Sequence, residues 1–271
     1  MDLSSNAMSS GGGRAFYDGG ACSAITARFP SVVSCDMTVI ALWCEKTRKG
    51  PDYIVLSDQR RLGTDLETGE TSILSDGILK SVALSDTCCV ACAGSIDVSR
   101  ALMCHLADRK EWLERLEDDS FDPAREIESL PERVGLSVSE AAMIVDEQLP
   151  ELLERQRAHL AVHGREDMLK DTSIYVVGRD DGRIVHTEWT AKTEFGAERE
   201  ERTPESSVTL SWPDDYDSNQ MREFMSELAP GKLPLHVRAA KAIRYANAQG
   251  MHASREFSLR CLSERFDLFE G

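Results

Sequence analysis

The chain has no apolar run approaching the roughly 20 residues that a helical membrane span needs. It is also poor in positive charge. Its 31 Lys and Arg stand against 47 Asp and Glu, a formal net charge of −16. A surface of that sign repels nucleic-acid phosphates and anionic lipid headgroups, so neither is an expected partner. An acidic, cytoplasmic protein is the expectation instead. Cys89-Val90-Ala91-Cys92 has no second cysteine pair at zinc-finger spacing, which argues against a structural zinc site. No serine sits in a G-x-S-x-G context. There is no internal repeat, and no boundary that would cut a second domain. Met1 to Gly20 has sparse Lys and Arg and no continuous apolar core, so it does not read as a secretion signal. Without one, eight cysteines do not imply disulfides. No cofactor is expected.

What is present suffices for one substantial core: 271 residues, 41% of them hydrophobic. Residues 1–36 begin rich in Ser, Gly and Ala and read as a flexible leader or propeptide, or as a remnant of start-site choice or cloning. Residues 37–271 read as the folded domain. Thr87 to Ala93 is a buried strand in which cysteine acts as a small hydrophobe. Met37 to Cys44 is strand-like, and Tyr53 to Leu56 returns after the turn Arg48 to Asp52. Arg61 to Leu66 and Thr71 to Leu74 form a second hairpin; Leu79 to Leu84 and Cys88 to Ala93 form a third pair.

Ser95 suits the N-cap of a helix running on toward Leu106, with Asp97 at the positive end of its dipole. Asp108 to Glu132 reads as a partly helical, solvated excursion. Ser137 to His163 is a long helix that Pro150 should kink or divide. Strands follow at Ser173 to Val177 and Ile184 to Trp189. Ala191 to Ser206 reads as an exposed loop or irregular hairpin, and Val208 to Trp212 as a short strand. Helices cover Asn219 to Leu228 and Val237 to Ala248. Alternation of Phe257, Leu259 and Cys261 predicts a final, half-exposed strand. Sequential strands with segregated helix pairs point to an α+β fold. A four-layer αββα sandwich of two antiparallel sheets flanked by helices accommodates this order.

Four pieces stand out for chemistry: Met37-Thr38-Val39-Ile40, Ile54 to Arg60 with Asp58, Ile78 to Val82 with Lys80, and Cys92 to Asp97 with Gly94. In this order, and with fourteen residues from Lys80 to Gly94, the segment Met37 to Leu102 resembles the front half of proteasome β-type subunits. The bacterial proteasome-like peptidases, which begin Met-Thr and lose the Met, are the nearest in flavour. These are N-terminal-nucleophile hydrolases of αββα fold. The rest of the chain resembles the family in element order only.

The resemblance implies Thr38 as the nucleophile, its own α-amine as base, and Lys80 as the cation beside them. Asp58 would orient Lys80, the Gly94 N–H would line an oxyanion hole, and Ser254 would support the amine. It further implies a peptide or other amide substrate and a homo-oligomeric ring. Three departures accompany it. Met37, not glycine, precedes Thr38. Thr203 to Ser207 lacks the glycines of the family's Gly-Ser-Gly turn. Met251 stands where the family has an acid three residues before the serine. A catalytically silent structural subunit or binding scaffold is therefore the rival reading, and a stand-alone amidase a third. Cys35 is a second nucleophile candidate. His159 and His163, one helical turn apart, read as surface histidines rather than metal ligands.

Overall fold

Strong β-formers and tight turns dominate both ends of the domain, and helices fill its middle. In the structure, a computed structural model, residues 32–33, 39–48, 50–118, 120–205, 208–211, 218–250, 253–263 and 265–271 are described. The first strands are β1 (Val32–Val33), β2 (Ile40–Thr47), β3 (Gly50–Asp58), β4 (Arg60–Asp65), β5 (Thr71–Asp76), β6 (Ser81–Ala83) and β7 (Cys88–Ala93). Helices α1 (Ile96–Leu106), α2 (Pro123–Ser129) and α3 (Val138–Ala161) follow. Then come β8 (Ser173–Asp180), β9 (Arg183–Thr190), β10 (Glu198–Glu201) and β11 (Thr209–Ser211). Helices α4 (Ser218–Leu228) and α5 (Leu235–Ala248) precede β12 (Phe257–Leu262) and β13 (Phe266–Glu270).

The strands form three antiparallel sheets, ordered β1-β4-β5, β10-β9-β8-β7-β6 and β11-β2-β3-β12-β13. Side chains alternate between the faces of a strand, and the packing follows that period. Ile40, Leu42, Tyr53 and Val55 of one five-stranded sheet cluster with Cys89, Ala91, Tyr175 and Val177 of the other. The intervening residues face away. Ala41, Trp43, Ile54 and Leu56 pack with Phe224 of α4 and Ala242 and Ile243 of α5. Val90, Cys92, Ile174 and Val176 pack with Leu102 of α1 and Val145 and Leu149 of α3. Burying each large aliphatic or aromatic side chain contributes about 1.5–3 kcal/mol, so these clusters hold the sheets and helices together.

Two expectations change. Pro150 does not divide α3, which is a single helix of 24 residues. Buried Val145, Leu149, Leu152, Leu153 and Leu160 anchor it on both sides of the proline, and that packing outweighs one lost backbone bond. Its start is fixed by a reciprocal capping box, the Ser137 side chain with Glu140. Second, β12 is buried at every position but Cys261, and β13 follows it. The intervening Ser258 and Arg260 are fully buried rather than solvated. The segment after β9 is the irregular hairpin expected there, with the exposed edge strand β10 paired antiparallel with β9. Among the described residues, no helix is long and apolar enough to cross a membrane.

Candidate functional site

Antiparallel pairing brings the beginnings of β2 and β12 to the end of β3, with Ile40 opposite Ser57 and Phe257 opposite Asp58. The Asp58 carboxylate, fully buried, gathers what meets there. One oxygen accepts the Val39 N–H at 3.1 Å and the Lys80 ammonium at 3.0 Å. The other accepts the Arg60 N–H at 3.1 Å and lies 3.5 Å from the Ser254 nitrogen. In return the Asp58 N–H donates to the Val39 carbonyl at 3.1 Å.

Lys80 is 4% exposed. It precedes the short strand β6 of the other five-stranded sheet and reaches Asp58 across the gap between the sheets. Burying an ammonium is costly unless a carboxylate faces it, and Asp58 supplies that carboxylate. The pair that the resemblance implied is therefore a contact.

Gly94 ends β7, two residues beyond Cys92, whose N–H donates to the Lys80 carbonyl at 2.8 Å. Its φ of +82° belongs to the left-handed region, and a Cβ there would come within 2.4 Å of Thr172 Cα. Both facts demand glycine. The next residue caps α1: the Ser95 hydroxyl accepts from the Val98 N–H at 3.4 Å. Ser254, fully buried, lies just before β12, and its Oγ accepts the Glu256 N–H at 3.0 Å.

Thr38, Cys35 and Met251 lie outside the described residues. Two cavities border the site. One of about 640 Å³ is lined by Arg60, Asp76, Asn247, Ser254, Arg255 and Glu256, among others. The second, about 20 Å³, lies between Lys80, Cys92, Ile96, Arg100 and Met103.

Sequence reasoning missed two buried polar clusters. Behind Lys80, Ser57, Ser81 and Ser258 share hydroxyl contacts of 2.6–3.3 Å. Arg260, fully buried, donates to the Ser81 hydroxyl at 3.1 Å and pairs with Glu128 at 2.9 Å. Its place in an alternating strand signalled a solvent face, but that face meets the other sheet. Toward the opposite end of β3, the buried Tyr53 hydroxyl lies 2.6 Å from His186 Nδ1, and His186 Nε2 is 3.2 Å from Glu188. Burial pushes the His186 pKa down, against the hydrogen bond that its ring makes to the Glu188 carboxylate. No motif marked that histidine, because only the pairing of β8 with β9 places it.

Cys89 and Cys92 are buried in β7. Burial pushes the Cys89 and Cys92 thiols up to about 12, so neither is a thiolate near neutrality. Both are free, in keeping with core packing. The His159 and His163 rings lie 5.8 Å apart. No group of three or more potential metal-ligating side chains occurs among the described residues.

Comparison with protein-family models finds no matching family, and comparison with curated proteins finds no match.

Proposed function

We propose that this chain is a proteasome-like N-terminal-threonine hydrolase, cleaving peptide or other amide bonds once Thr38 is its first residue. The observation that carries the proposal is the Asp58 carboxylate held between the Lys80 ammonium and the Val39 N–H. That N–H belongs to the peptide bond joining Val39 to Thr38.

The chemistry follows from these groups. The free α-amine, with a reference pKa of about 8, takes the proton of the Thr38 hydroxyl as its oxygen attacks the substrate carbonyl carbon. The Lys80 charge favours the neutral amine and the developing alkoxide. The Gly94 N–H donates to the tetrahedral oxyanion. On collapse the C–N bond breaks, the departing amine takes the proton from the ammonium, and an ester remains on Thr38. Water, deprotonated by the same amine, cleaves that ester and restores the hydroxyl.

The same reading extends to architecture. The three hydrophobic clusters support a helix–sheet–sheet–helix stacking of the two five-stranded sheets. Strand β1 lies within the segment read as a leader, where Val32 and Val33 pair with Asp65 and Thr64 of β4. A cytoplasmic, homo-oligomeric ring completes the proposal.

A silent structural subunit is the second reading, favoured by Met251 in place of an acid. Intact mass of the purified protein, combined with turnover of a fluorogenic peptide panel, separates the two. The hydrolase reading expects a chain beginning at Thr38 and measurable turnover. Full activity in a chain that keeps its leader would overturn it, and a chain verified to begin at Thr38 without turnover would favour the scaffold.

A further inference from the structure

We infer that the groove between α5 and β13 is a docking site for an acidic, amphipathic helix of a partner protein. Nothing in it depends on Thr38 or on hydrolysis. It follows from where the outer helix layer stops and from which cations lack partners there.

Strand β13 is the edge of its sheet, one strand beyond β12. Leu259 and Phe269 stand opposite each other where the two strands pair, so their side chains share a face. That face is the one packed by α4 and α5. Leu259 is buried there in the cluster with Ala242 and Ile243 of α5. Phe269, one strand farther out, is 49% exposed. The helix layer therefore stops one strand short. An open groove of about 980 Å³ lies between the flank of α5 and the outer face of β13. Val237 and Ala240 form its helical wall, and Phe257 and Phe269 its floor.

The rim is basic. Arg244 of α5 and Arg255 before β12 line the groove together with His236, and all three are exposed. Among the described residues, none pairs with these three side chains. The other cations of α5 are engaged, Arg238 with Glu45 at 2.8 Å and Lys241 with Glu227 at 3.9 Å. Glu270, an acid on the same rim, is met by Arg125 of α2 at 3.6 Å. In a chain of net charge −16, two unpaired guanidinium groups beside an exposed aromatic ring mark a local exception. Carboxylates next to an apolar side chain complement both features.

The wall sets the shape of the occupant. His236, Val237, Ala240, Arg244 and Asn247 recur at helical spacing along one flank of α5, about 16 Å from first to last. A docked helix of about three turns matches that length. Its apolar side chains, at three- and four-residue spacing, cover Phe269 and Val237, and the small Ala240 lets the two helices approach. Its flanking carboxylates meet Arg244 and Arg255. Asn247 and Arg255 also line the cavity of about 640 Å³ beside Ser254, so the groove adjoins the Asp58 cluster.

The test is a displayed library of short peptides of mixed sequence, selected on the full chain. Affinities of the enriched peptides are then read by fluorescence anisotropy. The expected outcome is enrichment of Asp and Glu with Leu, Phe or Trp at helical spacing, and a gain of helical circular dichroism on binding. Arg244→Gln and Arg255→Gln should each weaken binding by about two- to fivefold, with a larger loss in the double variant. Phe269→Ser should also weaken it, and Lys241→Gln, on the paired side of α5, should leave it unchanged. All four positions are exposed, so melting temperatures should stay close to that of the parent. Added salt should weaken the parent's binding more than that of the double variant. Failure to enrich acidic peptides, or acidic peptides whose affinity survives both the double variant and Phe269→Ser, would overturn the inference. Sedimentation of the parent alone covers the other occupant. Self-association that disappears in the same variants would assign the groove to a second copy of this chain and overturn the partner-helix inference.

Discussion

Asp58 and Lys80 are unequal partners. Asp58 keeps the backbone N–H groups of Val39 and Arg60, with that of Ser254 nearby, whatever happens to Lys80. Removing one member of a buried pair costs about 3–5 kcal/mol when the other is stranded. Asp58→Ala should therefore approach that loss in urea denaturation, while Lys80→Met should lose clearly less. Equal losses would mean that the N–H groups do not hold the carboxylate. His186 gives a second expectation at this scale. Burial lowers its pKa, so the folded protein resists the proton that the unfolded chain accepts. The stabilising contribution is complete above the unfolded value of about 6.5 and shrinks as pH falls toward the folded pKa. The melting temperature of the parent should fall more steeply between pH 7 and 5 than that of His186→Gln; parallel slopes would remove His186 from the account.

At the scale of elements, hairpins, the capped start of α1 and the long helix α3 were all legible. Their signals are local: turn residues, alternation, and a Ser followed by an acid. Asp58, Lys80 and Gly94 were singled out for a different reason, the resemblance to proteasome β-type subunits, and of these the structure brings Asp58 and Lys80 into direct contact. Arg260 and His186 were not. Their roles depend on which sheet face or strand edge they meet, and only pairing over long sequence distance decides that. Pro150 was read by its local effect alone, and the apolar stripe of α3 overrode it. That override leaves a cost in place. Pro150 is exposed within the helix, so Pro150→Ala should stabilise the protein by about 1–3 kcal/mol in urea denaturation. An unchanged or lower midpoint would mean that the helix bends usefully there.

For the whole molecule, the two five-stranded sheets meet along one side-chain face and converge on Asp58 at one end. The proposed hydrolysis at that end would require a free Thr38 amine, and the ion pair, Gly94 and Ser254 would serve it only with that amine. The direct measurement is peptide turnover by protein whose intact mass begins at Thr38, set beside an equally folded Thr38→Ala variant. The account predicts turnover in the first and none above background in the second, with thermal melts within about half a kcal/mol of each other. Undiminished turnover by Thr38→Ala would contradict it.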